Sequence, residues 1–127
     1  MGEALWDKLM EAGRPAGIRP FGVEAQRVLR LEKGHIIVGQ DTDGLTHPYE
    51  ADMAWAISKN KPYFMGGRSI DIQNRSGLTR KLVGFTLDDP NAPVPEECHL
   101  VVRGPEILGR VTSAVISPSV GRVVGLA

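Results

Sequence analysis

Glycine and proline interrupt this chain so often that no long element can run through it: 15 Gly and 9 Pro stand among 127 residues. That share, about a fifth, is well above the roughly 12% of average usage. Glycine loses the most conformational freedom on ordering and proline lacks a backbone donor, so each stretch between them must complete its element and stop. The pattern excludes a bundle of long helices and predicts many short helices and strands, an α+β chain. The length suits one ordinary domain or two small pieces of a larger one, which argues against a self-sufficient large-cofactor enzyme.

Charge excludes further classes. Lys+Arg and Asp+Glu balance at 15 each, with the first 60 residues at net −2 and the remainder at +2. No basic footprint for nucleic acid or acidic lipid follows from that balance. No apolar run approaches membrane length, and the first residues carry neither a basic nor an apolar signal region. The single cysteine, Cys98, cannot form an internal disulfide. A cytoplasmic location, with no membrane and no nucleic-acid partner, is the expectation.

Leu5, Trp6, Leu9 and Met10 repeat at helical spacing, which predicts a helix over residues 3–12 ending at Gly13. A second helix is expected from about residue 22 to 33, closed by Gly34, with Arg30 and Glu32 among its polar, outward side chains. Residues 36–38 read as a short strand followed by a turn over 39–44. Residues 53–57 (Met-Ala-Trp-Ala-Ile) read as a buried strand because both alternating faces are apolar. A short helix over 68–74 exits at Gly77. From residue 80 strands separated by Pro and Gly predict an antiparallel meander over 81–87, 98–103, 109–116 and 122–127. The last strand is expected to leave an unpaired sheet edge.

Generic site chemistry is sparse. The three histidines, His35, His47 and His99, are scattered and form no local metal motif, so no metal is expected. Asp41-Thr42-Asp43-Gly44 imitates the opening of a calcium loop, but its glycine comes two positions early. It reads as a solvated turn. No dinucleotide, phosphate-loop or nucleophile-elbow pattern occurs.

Separated motifs in a fixed order say more. Gly17-Ile18-Arg19-Pro20-Phe21-Gly22 leads into Arg27-Val28-Leu29-Arg30-Leu31-Glu32-Lys33-Gly34. Then come Gly39-Gln40-Asp41, Thr46-His47-Pro48-Tyr49-Glu50-Ala51 with Trp55, Phe64-Met65-Gly66, Gly109-Arg110-Val111-Thr112-Ser113 and Ser117-Pro118-Ser119-Val120-Gly121. This series resembles the folate-dependent aminomethyltransferases, the glycine cleavage T-protein family. The run from Gly22 to Gly44 looks most like the aminomethyltransferase-like part of heterotetrameric sarcosine oxidase alpha subunits.

The resemblance implies a partial folate-binding aminomethyltransferase domain over 1–79, followed by a partial antiparallel β-barrel-like domain over 80–127. It implies tetrahydrofolate as the cofactor of the complete enzyme. The residues it marks for lining the folate pocket are Gln26, Arg27, His35 and Trp55. Gln26 stands where the T protein has a folate-contacting arginine; Gln can donate to a neutral acceptor but cannot neutralise a carboxylate. His35 could meet the pterin or stand as a core or rim histidine, and Arg30 with Glu32 could be a structural pair on the helix surface or touch ligand. The family's catalytic aspartate would precede Met1 and its later barrel strands would follow Ala127, so no catalytic residue is expected within the chain. Expected partners are other subunits, or the missing N-terminal half, of an oxidase or aminomethyltransferase complex. Two further readings stand beside this one: a non-catalytic assembly subunit retaining the scaffold, whose truncated edges invite a partner chain or self-association into a homo-oligomer, and a freestanding small-molecule binding domain unrelated to folate.

Overall fold

A computed structural model describes residues 1–127. Three helices come first, α1 (Gly2–Gly13), α2 (Val23–Lys33) and α3 (Gly67–Ser76). Five short strands follow, β1 (Gly84–Thr86), β2 (Leu100–Arg103), β3 (Glu106–Arg110), β4 (Ser113–Ser117) and β5 (Arg122–Leu126). All strand pairing is antiparallel. One sheet runs β1-β5-β4, a separate ribbon pairs β2 with β3, and neither closes into a barrel.

The helices lie where periodicity placed them, with one change at an end. α1 runs through Gly13 into a 3-10 turn over Arg14–Ala16, and the left-handed residue that stops it is Gly17, at φ 70°. Pro15 sits in the first turn of that 3-10 segment, where its missing N–H costs nothing. α2 ends as expected, with Gly34 at φ 77° donating to the carbonyls of Arg30 and Leu31.

Two expected strands are absent. Residues 36–38 contribute only an isolated bridge between Val38 and Thr42, because the chain doubles back. The N–H groups of Gln40 and Asp41 donate to the Ile37 carbonyl, and the Asp41 carboxylate accepts the Ile37 N–H. Residues 53–57 form a 3-10 turn, Ala54–Ala56, at the end of a run of turns in which Glu50 and Ala51 donate to His47 and Met53 to Pro48. No strand lies beside this segment to pair with it, so local hydrogen bonds win over its β pattern, and Trp55 points out at 78% exposure.

The strand region is a meander only in part. β2–β3 and β4–β5 are hairpins, but β1 skips the first of them and pairs with β5, Phe85 opposite Gly125. The expected strand over 109–116 is two strands, broken at Val111-Thr112. β5, expected to leave an open edge, is instead the central strand, and Ala127 exchanges both backbone hydrogen bonds with Val83. Its burial follows: Val123, Val124, Gly125 and Leu126 are all buried.

The core is small. Leu31 of α2 packs with Val124 and Leu126 of β5, joined by Ile36, Leu82 and Val115. Outside this α2–β4–β5–β1 nucleus, α1 contacts no helix or strand beyond the 3-10 turn that follows it, and α3 and the β2–β3 ribbon pack against no other helix or strand. Leu5, Trp6 and Leu9 of α1 and Leu100, Val102, Ile107 and Leu108 of the ribbon remain exposed. The accessible surface is 10166 Å². A compact monomer of 13.8 kDa would expose about 6,600 Å². Large apolar side chains with nothing in this chain to cover them contribute to the excess.

Candidate functional site

The most highly organised polar cluster gathers residues from three parts of the sequence. Arg30, one turn before the end of α2, turns inward, and its Nη1 donates to the Asp41 carboxylate and to the His35 carbonyl, the latter at 3.2 Å. Its Nη2 donates to Ser113 Oγ at 2.7 Å. Asp41 also accepts from Ile37 N at 2.9 Å, Thr112 Oγ1 at 2.6 Å and Ser113 Oγ at 2.5 Å. Thr112 Oγ1 lies 3.2 Å from the Leu126 carbonyl as well. Arg30 Nε is buried and has no partner.

Burial by itself pushes the Asp41 carboxyl up. The Ile37 N–H, the Ser113 and Thr112 hydroxyls and the Arg30 charge together outweigh that and hold it below the ordinary carboxylate range. Four donors, from Arg30, Ile37, Thr112 and Ser113, converge on that carboxylate. Its role is to tie α2 and the 37–42 turn to the start of β4. A second tie runs parallel: Ser117 Oγ donates to Glu32 Oε1 at 2.6 Å and accepts from Val120 N at 2.9 Å.

Two sequence expectations are corrected here. Arg30 and Glu32 do not pair with each other on an outer helix face; each reaches β4 separately. The 41–44 stretch is solvated only at Asp43 and Gly44, because Asp41 is 6% exposed and Thr42 is half-buried. Local spacing cannot reveal this cluster, since Ser113 lies 83 residues from Arg30 and 72 from Asp41. The one available signal was two hydroxyl residues, Thr112-Ser113, interrupting an apolar strand pattern.

A second polar group sits at the 47–50 turn. Glu50 accepts from His47 N at 3.1 Å and Arg80 Nε at 3.2 Å, and its carbonyl accepts from Leu82 N at 2.7 Å. The His47 N–H is the main cause holding the Glu50 carboxyl below its usual range, with burial opposing and Arg80 assisting. The His47 ring is 5% exposed and stacks on Tyr49 with centroids 5.4 Å apart. Its Nδ1 accepts from Tyr49 N at 3.2 Å, leaving Nε2 buried without a partner.

Two open clefts mark the surface. The larger, about 540 Å³, lies between the 57–64 loop and the start of α3. The other, about 420 Å³, runs between the end of α2 and strands β1 and β5. None of the four residues marked for folate lines either cleft. Gln26, His35 and Trp55 are exposed and their side chains make no hydrogen bond within the chain, while Arg27, also exposed, bonds Glu24 at 3.0 Å. Within this chain the four side chains do not enclose a cavity. No cluster of three or more His, Cys, Asp or Glu side chains is placed to hold a metal ion.

Comparison with known proteins decides the lineage. The family model for the GCVT N-terminal domain matches residues 1–61, and the model for the glycine cleavage T-protein C-terminal barrel domain matches residues 80–127. The chain belongs to the glycine cleavage T-protein family. An aminomethyltransferase of Halothermothrix orenii is 38% identical over 122 residues, 96% of this chain and 34% of that protein. Another, of Flavobacterium psychrophilum, is 37% identical over 98% of this chain. A sarcosine oxidase subunit alpha of Corynebacterium sp. strain P-1 is 40% identical over 99% of this chain but only 14% of its own length. The chain thus spans about a third of the family's aminomethyltransferases that it matches and about a seventh of the oxidase subunit. No helix is long and apolar enough to cross a membrane.

Proposed function

We propose that this chain is a portion or split subunit of a sarcosine-oxidase-like, tetrahydrofolate-dependent aminomethyltransferase, acting in one-carbon transfer from N-methyl amino acids or glycine. Residues 1–79 belong to its folate-binding domain and 80–127 to its barrel-like domain, and the assembly is cytoplasmic. The observation that carries this reading is 40% identity to a sarcosine oxidase subunit alpha across essentially the whole chain, joined to a surface about half again larger than a compact monomer needs. The complementary surface comes from the remainder of the oxidase or aminomethyltransferase complex.

Gln26, Arg27, His35 and Trp55 form this chain's share of the folate pocket. They fit that use because Gln26 and His35 keep unspent polar atoms at the surface and Trp55 offers an open ring face. When bound, tetrahydrofolate supplies the nitrogen nucleophile that takes up the one-carbon unit. The chain's residues position and orient: Gln26 donates to a neutral acceptor, Trp55 stacks, and His35 hydrogen-bonds or stacks at the ring edge. The Arg30–Asp41–Ser113 tie holds the end of α2, and with it Gln26 and His35, against the sheet.

Calorimetric titration of the purified chain with a reduced folate tests direct binding. Saturable heat, reduced by Gln26→Ala and His35→Ala, is the expected result; absence of heat at roughly millimolar folate, a bound of about −4 kcal/mol, removes folate binding by the isolated chain.

The same surface excess favours a second reading, a non-catalytic assembly subunit that uses the scaffold to dock a protein partner or a second copy. Light scattering after sizing chromatography separates the two, since a clean monomer counts against self-association.

A further inference from the structure

The cleft between the 57–64 loop and α3 has a character that the folate reading does not use. Lys59, Lys61 and Arg68 all line it, against one carboxylate, Asp71. None of the three cations has a carboxylate within ion-pair distance, although six such pairs form elsewhere in the chain. Most Lys and Arg side chains of this chain are likewise without a carboxylate partner, and what sets these three apart is that they line one concavity against a single acidic side chain. Such a concavity focuses the field on whatever enters it. The walls are aromatic as well, from Tyr49, Tyr63 and Phe64. Tyr49 is braced by its stacking on the buried His47, so that wall is held in place. A volume of about 540 Å³ is that of a small-molecule site, and cations beside ring faces select charge and planarity together.

We propose that this cleft is a ligand site, separate from Gln26, Arg27, His35 and Trp55, for a small molecule that carries a carboxylate or phosphate on a planar ring. Lys59, Lys61 and Arg68 hold the anion, with Arg68 able to grip two oxygens at once. The rings of Tyr49, Tyr63 and Phe64 sandwich or edge the planar part.

Amide NMR of the full chain, titrated in parallel with phenyl phosphate, benzoate, phenol and inorganic phosphate, tests this. The expected result is saturable shifts confined to Tyr49, Ala54 and residues 57–71, which line the cleft, with the better aryl anion binding about tenfold tighter than phenol or inorganic phosphate. Whether phenyl phosphate or benzoate leads identifies the natural anion as phosphate or carboxylate. The Lys59→Gln/Lys61→Gln variant, both positions being exposed, is expected to weaken aryl-anion binding at least about fivefold and leave phenol unchanged. Should that variant fold poorly, raising salt from about 0.05 to 0.5 M on the unaltered chain reads the same charge dependence. Equal affinity for phenol and phenyl phosphate, equal affinity for inorganic phosphate, no saturable shift, or indifference to both charge removal and salt each overturns the site. A reduced folate acting at the pocket proposed above would shift residues 26–35 together with Trp55, and shifts at 26–35, remote from the cleft lining, keep the failures of the two proposals distinguishable.

Discussion

Arg30 and Asp41, eleven residues apart in sequence, form a buried ion pair at the junction of α2, the turn after it and β4. The side chain of Asp41 is wholly buried and that of Arg30 nearly so. Removing one member of such a pair strands the other's charge, at a cost of about 3–5 kcal/mol. Asp41→Ala is expected to lose that much by urea unfolding, and Ser113→Ala about 1–3 kcal/mol, since it leaves Arg30 Nη2 without its acceptor. A loss below about 0.5 kcal/mol for Asp41→Ala would show that the cluster does not hold the nucleus together.

Acid should dissolve the same tie. The folded state lowers the Asp41 carboxyl, so the stabilisation it gives is complete above the unfolded-state pKa of about 3.9 and disappears as pH falls through the lower folded value. Glu50 shifts in the same direction and adds to the same limb. The urea midpoint is therefore expected to be level from pH 7 to about 5 and to fall below about pH 4. In Asp41→Asn the acid limb should flatten; an unchanged slope would assign it to other carboxylates.

Gly125, in the middle of β5, admits no side chain. A Cβ placed there would lie 2.5 Å from the Phe85 ring and 2.5 Å from the Ser113 carbonyl. The ring can move but the backbone oxygen cannot without opening the β4–β5 pairing. Gly125→Ala is expected to cost about 1–3 kcal/mol by chemical denaturation, as overpacking does. Pairing it with Phe85→Ala should recover part of the loss if the ring is the softer neighbour.

Protection from hydrogen exchange should be sharply uneven. The amides of β5, paired on both sides and buried, are expected to exchange most slowly. α1 has twelve residues and packs only on its own 3-10 turn, and a helix of that length is marginal alone. The β2–β3 ribbon is a two-stranded pair with exposed faces, equally marginal. Both should exchange at least about a hundredfold faster than β5 in the isolated chain and gain protection when a covering partner is added. Uniform protection across α1 and β5 would contradict an uncovered α1.

Helix positions were legible because their signals are local. Leu5, Leu9 and Met10 at helical spacing and Gly34 just past Lys33 act within a turn or two, and α2 and α3 formed close to the expected bounds. The ordered motifs also indicate the T-protein family, since a motif series is a property of the sequence alone. Strands were less legible, because a strand exists only where another lies beside it. The 36–38 and 53–57 segments had the composition of strands and no neighbour, so turns took them, while β5 became central because β1, nearly 40 residues earlier, arrived on its open side.

By itself, then, the sequence determined the lineage, the short-element α+β character and the places where helices begin and stop. The tertiary structure alone decided that Arg30 turns inward to Asp41, that Thr112, at the strand break, and Ser113, at the start of β4, join that cluster, and that cations line a cleft with Tyr49 and Phe64. Helical hydrogen bonds are set by neighbours four residues away, whereas these contacts join groups up to 83 residues apart, and only the folded chain fixes such distances.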